Sequence, residues 1–64
     1  MIHGIVKKWD YLKGWGFIED FDGNDYFFNI SNLRKGFKIK EGIKVKFDSF
    51  SGQRGDEAEN ISLI

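Results

Sequence analysis

Trp15 and Phe17 stand two residues apart in Lys13-Gly14-Trp15-Gly16-Phe17-Ile18. Seven residues after this run comes a second, Asp25-Tyr26-Phe27-Phe28-Asn29-Ile30. Both read as strands, and in a strand residues two apart share a face. Trp15 and Phe17 therefore lie together, with Gly14, Gly16 and Ile18 opposite them. Phe27 shares a face with Asn29, and Tyr26 with Phe28 and Ile30. If the two strands pair, Trp15, Phe17 and Phe27 cluster on one sheet face. Such a cluster is either ordinary core, the more frequent fate of aromatic side chains, or a platform on which the bases of a single nucleic-acid strand stack. The glycines favour the platform. With the rings turned inward, the outer face would be glycine that packs nothing. With the rings turned outward, the glycines sit where a small barrel bends.

Other residues near these runs divide between a binding role and a plain one. Lys7, Lys13 and Arg54 are either phosphate contacts or solvated surface charges. Phe37 lies on a basic loop beside Gly36, where it either swings over a base or caps the barrel end. Asp25 either accepts a hydrogen bond from a base amino or imino group or closes the turn after Asn24. Lys7, Lys8 and Trp9 are consecutive, so they cannot all share a face unless a bulge intervenes. Trp9 is balanced between platform and barrel packing. Lys35, Lys38, Lys40, Lys44 and Lys46 read as solvated and partly off the platform, and His3 as a solvated strand-start residue.

The elements that must hold these residues are short. Proline is absent and eight glycines punctuate the chain. No 3.6-residue apolar period runs long enough for a full helix. Strands are expected at Ile2 to Asp10, Gly14 to Glu19, Asp25 to Asn29, Ile43 to Phe50 and Ala58 to Leu63. Val6, Val45 and Phe47 point inward and Lys44 and Lys46 outward, while Ile61 and Leu63 share a face. Residues 20–24 are turn chemistry, Asp and Asn bonding their own backbone and Gly supplying positive φ. Ser31-Asn32-Leu33 reads as a helical turn capped by Asn29 or Ser31. Residues 34–42 form a basic loop, and residues 51–56 a glycine-containing turn carrying Arg54. The expected fold class is all-β, a five-stranded antiparallel barrel, since closure removes exposed edges.

Bulk properties narrow the function. The 64 residues make one domain, with ten Lys/Arg against ten Asp/Glu. Residues 34–46 hold six Lys/Arg and one acid, Glu41, between more acidic ends, so a neutral chain still presents a local basic surface. Cysteine is absent and His3 is the single histidine, so no disulfide, metal site or cysteine nucleophile is expected. No Walker-type glycine loop is present, no carboxylate pair is placed in a cleft, and a domain this small has little room for a deep pocket. Neither an enzyme nor a cofactor or small-molecule substrate is expected. Nothing spans a membrane, and no charged-then-apolar leader opens the chain, which reads as a cytoplasmic monomer.

The two aromatic runs together resemble the ribonucleoprotein motifs of the cold-shock domain family, whose fold is a five-stranded OB barrel. The first run is similar to the family's usual Lys-Gly-Phe-Gly-Phe-Ile. The likeness extends through Gly4, Val6 and Lys7, Ser31, Gly36-Phe37-Lys38, Glu41-Gly42, Val45 and Phe47 to Gly52, Arg54-Gly55, Ala58 and Asn60. It implies binding of single-stranded RNA or DNA and a role as RNA chaperone or transcription antiterminator. It also implies binding positions at Lys7, Lys13, Trp15, Phe17, Asp25, Phe27, Phe37 and Arg54. The chain departs from the family at four places. Lys8-Trp9 stands for Trp-Phe, and Asn29-Ile30 for His-Phe, Asn29 keeping a hydrogen bond for a base edge. Gly55-Asp56 stands for Gly-Pro, and the Phe37 loop is short. These departures imply weaker or altered base preference, with Lys8 and Trp9 competing for one platform place. The rival reading is a β-barrel module whose aromatic patch docks a peptide or partner subunit.

Overall fold

The computed structural model describes residues 1–34 and 38–64. Five strands close into a barrel: β1 Ile2–Asp10, β2 Trp15–Asp20, β3 Asp25–Asn29, β4 Lys44–Gly52 and β5 Gly55–Leu63, in the spatial order β1-β2-β3-β5-β4. The all-β barrel agrees with expectation in class but not in every pairing. β3 and β5 run parallel at Phe27 and Glu57, and the other four pairs are antiparallel. The boundaries of β1 and β3 match the expected ones. β2 begins one residue late because Gly14, at φ 72°, belongs to the turn. β4 and β5 extend to a tight hairpin whose loop is only Gln53-Arg54.

Alternation builds the core. Val6, Ile18, Tyr26, Phe28, Val45, Phe47, Ala58 and Ile61 fill the barrel, with Tyr26 and Phe47 meeting edge to face at 5.0 Å. Two breaks in alternation shape it. Between Val6↔Ile18 and Lys8↔Phe17, Lys7 is the extra residue of a bulge in β1. Between Lys46↔Ser62 and Asp48↔Glu59, β5 carries an extra residue, and Asn60 takes φ 54° there. This second bulge sends Ala58 and Ile61 both inward. Leu63, expected to share the face of Ile61, lies 48% exposed at the strand end.

Gly16 is the inward glycine that the spacing required. A Cβ there would run into the Lys8 carbonyl and come within 3.0 Å of the Phe28 ring. Past β3 the chain makes one 3-10 turn, Ile30–Asn32, capped by Asn29. Ile30 leaves the face of Phe28 and is exposed.

Candidate nucleic-acid interface

Pairing of β2 with β3 sets Phe17 opposite Phe27 and Trp15 opposite Asn29. Cross-strand partners share a face, so the three rings meet outside the barrel. Trp15 and Phe17 lie edge to face at 5.8 Å, as do Phe17 and Phe27, also at 5.8 Å. Trp15 and Phe27 are inclined by only 23° at 6.2 Å. A shallow open depression of about 510 Å³ lies over them, edged by Lys13, Asn29 and Arg54. A second, of about 340 Å³, shares Phe17 and is edged by Lys7, Lys8 and Asp25.

The rings are not equally bare. Trp15 and Phe17 are half-buried, whereas Phe27 is only 6% exposed. Phe27 does not join the core cluster. Its face is covered by Arg54, whose guanidinium carbon stands 4.5 Å from the ring centroid. The parallel contact Phe27↔Glu57 brings the β4–β5 hairpin tip alongside, and the Arg54 amide donates to the Glu57 carboxylate at 3.3 Å. The Lys8 ammonium stands 5.3 Å from the Trp15 ring centroid. Both cations lie within the range of cation–π attraction.

The bulge at Lys7 settles which of Lys8 and Trp9 faces outward. Lys8 pairs with outward Phe17, and Trp9 pairs with inward Gly16. The Trp9 ring stacks on core residue Phe28 at 5.5 Å and 6°. Its amide donates to the Glu41 carboxylate at 3.0 Å. The structure thus separates Trp9 from Trp15, Phe17 and Phe27.

The remaining candidates divide by what already holds them. Lys7 faces Asp25 at 3.5 Å and Glu19 at 3.9 Å, so two carboxylates share its charge. Asp25, for its part, is an exposed strand residue carrying a cation. Lys13 is exposed, its amide bonded to Asp10 at 3.0 Å. The Asn29 side-chain oxygen accepts from the Ser31 backbone amide at 3.1 Å, and among the described residues its NH₂ group donates to no protein acceptor. Phe37 lies outside the described residues. Beyond the platform, Asp20 accepts bonds from the Asn24 and Asp22 amides and from the Tyr26 hydroxyl. These bonds, the Asn24 amide foremost, hold the Asp20 carboxyl below its ordinary 3.8, and the bond to Asp20 raises Tyr26 above 10.0. No helix is long and apolar enough to cross a membrane among the described residues.

Flat rings in a row with cations at their edges suit planar heterocycles linked by anions. Over residues 2–64 the sequence matches the 'Cold-shock' DNA-binding domain family. It is 46% identical over 63 residues to Cold shock protein 1 of Lactiplantibacillus plantarum, covering 95% of this chain and 96% of that one. It is 45% identical over 66 aligned positions to the Major cold shock protein of Streptococcus pyogenes, covering 100% and 98%. Cold shock-like protein CspC of Bacillus cereus is 42% identical over 62 residues, covering 94% and 95%. The chain belongs to the cold-shock domain family.

Proposed function

We propose that this protein binds single-stranded RNA or DNA by stacking bases on Trp15 and Phe17, with the Phe27–Arg54 pair as a third layer. The observation that carries this reading is the three-ring cluster on the outer barrel face, edged by Lys8, Lys13 and Arg54. A core role is already filled by other aromatics, Phe28, Phe47 and Tyr26. Each stacked base is worth about 1–3 kcal/mol and any base serves, because every base has a π-face. The Asn29 NH₂ group donates to a base carbonyl. Lys8, Lys13 and Arg54 follow the phosphates. The cellular role proposed is RNA chaperoning or antitermination of the cold-shock type. A base held on the platform is withdrawn from a hairpin, and no energy source is needed.

Oligothymidine and a mixed RNA, titrated while tryptophan fluorescence is read, test the binding. Quenching is expected from the wild type and from Trp9→Phe, and its loss is expected in Trp15→Ala. Quenching that survives in Trp15→Ala and vanishes in Trp9→Phe places the ligand elsewhere. For the cellular role, a fluorescently labelled RNA hairpin should open at lower temperature when the protein is added. An unchanged melting temperature at saturating protein removes the chaperone reading.

A further inference from the structure

The outer face of β1 and β4, around the barrel from the rings, carries a second set of cations. His3 pairs with Lys46 and Ile5 with Lys44, so these four side chains share one face. Val45, between the lysines, is buried, which turns both lysines outward. Two residues along a strand span about 6.6 Å, of the order of the spacing between successive phosphates in an extended strand. Among the described residues, no carboxylate pairs with Lys44 or Lys46, whereas Lys7 on the platform side has two. The face is continuous with the platform. Ile5 pairs with Lys44 on one side and with Glu19 on the other, and the Glu19 carboxylate is turned to Lys7. Ile5 is apolar and 36% exposed, a surface against which a base can lie. The run ends at Asp48, the next outward position of β4, whose carboxylate accepts from the Asn60 side-chain NH₂ group at 3.2 Å.

From this arrangement we infer that a strand stacked on the platform continues past Lys8 and Ile5 and lays its phosphates on Lys44 and Lys46. The inference rests on the platform reading and extends its site to a second face of the barrel. The occupant is the phosphate backbone of the same single strand. Its charge matches the unpaired lysines, and its chain supplies the continuity from ring to ring to Ile5. The contact is sequence-independent, because lysine meets phosphate as a point charge.

The test compares an oligothymidine of about four nucleotides, long enough for the rings only, with one of about ten, long enough to cross β1. The Lys44→Gln/Lys46→Gln double variant changes one exposed and one half-buried side chain, both on the outer face and neither in the core, and is expected to fold as the wild type. It should bind the four-mer as the wild type does. On the ten-mer it should lose roughly tenfold in affinity at 0.1 M salt, and its slope of log K against log salt should flatten by about 1.4, at about 0.7 per phosphate contact. Wild-type affinity of the double variant for the ten-mer would overturn the inference. An equal loss on both lengths would also overturn it, since that is a general field effect and not a track. Failure of the platform reading shows differently, as absence of four-mer binding and fluorescence quenching in the wild type.

Discussion

Phe27 and Phe28 are neighbours in one strand, yet each answers to a different partner. Phe28 is fully buried under Trp9, and Phe27 lies under Arg54 on the outer face. Phe28→Ala is expected to cost about 3–5 kcal/mol, as truncated buried aromatics do, and in a marginal small domain that unfolds most of the protein. Phe27→Ala should cost less stability and about 1–3 kcal/mol of single-strand binding. Urea unfolding of both, with an oligonucleotide titration of the folded ones, checks the pair. If Phe27→Ala proves the more destabilising, the outer ring is a structural residue first. Trp9→Ala should behave as a core change, lowering the urea midpoint while Trp15→Ala leaves it nearly unmoved. The facing of Trp9 was open in the sequence because its resolution needed the position of the bulge. Once Lys7 is the extra residue, Lys8 and Trp9 fall on opposite sides.

At the level of the element, the β2 strand depends on a glycine and the β2–β3 turn on an aspartate. Gly16→Ala places a methyl group against the Lys8 carbonyl and the Phe28 ring. Overpacking of this kind costs about 1–3 kcal/mol, and the strand must shift away from β1. A lowered thermal midpoint should report it, and an unchanged one would mean that the sheet relaxes freely there. In the turn, the folded-state pKa of Asp20 lies below its unfolded value of 3.8. Its contribution is therefore complete above pH 3.8 and fades as pH falls through the lower folded value. Tyr26 has the opposite sign. Raised above 10.0, its contribution is complete below pH 10 and fades as pH climbs past the folded value. Asp20→Asn should flatten the acid limb of a stability–pH curve and reduce the Tyr26 shift, read by its ultraviolet titration, while burial and the Asp56 and Asp22 charges keep part of it. A tyrosine titration unaltered by Asp20→Asn would contradict the hydrogen bond. The turn itself was legible from residues 20–24, since Asp and Asn beside Gly is local chemistry. The Asp20–Tyr26 bond was not, because it depends on how β3 returns.

For the whole molecule, charge is distributed and not abundant. Ten cations balance ten anions, and the bare rings have Lys8, Lys13 and Arg54 at their edges. Three phosphate contacts at about 0.7 each predict a slope near −2 for a short oligonucleotide. A slope steeper than about −4 on a four-mer would mean that the short strand reaches cations beyond these three. Arg54→Ala should remove about 0.7 from that slope while uncovering Phe27, so affinity falls less at high salt than at low salt.

Sequence alone determined the strand class, the shared face of Trp15 and Phe17 opposite Gly16, and the outward place of Lys44 and Lys46, and its glycines favoured the outward facing of the two rings. These follow from the period of two, which is a local property of an extended chain. Residue types also carried the family resemblance, which the match over residues 2–64 bears out. Tertiary structure decided the rest. Only barrel closure brings β5 parallel to β3 and so lays Arg54 on Phe27. Only the bulges set Lys8 outward with Trp9 inward, and Ala58 and Ile61 inward together. Only the pairing of β1 with β4 gathers His3, Lys44 and Lys46, residues some forty positions apart, onto one face. The physical reason is common to all three: alternation is fixed by each strand's own backbone, but register, bulges and closure are fixed by which distant strand supplies the hydrogen bonds.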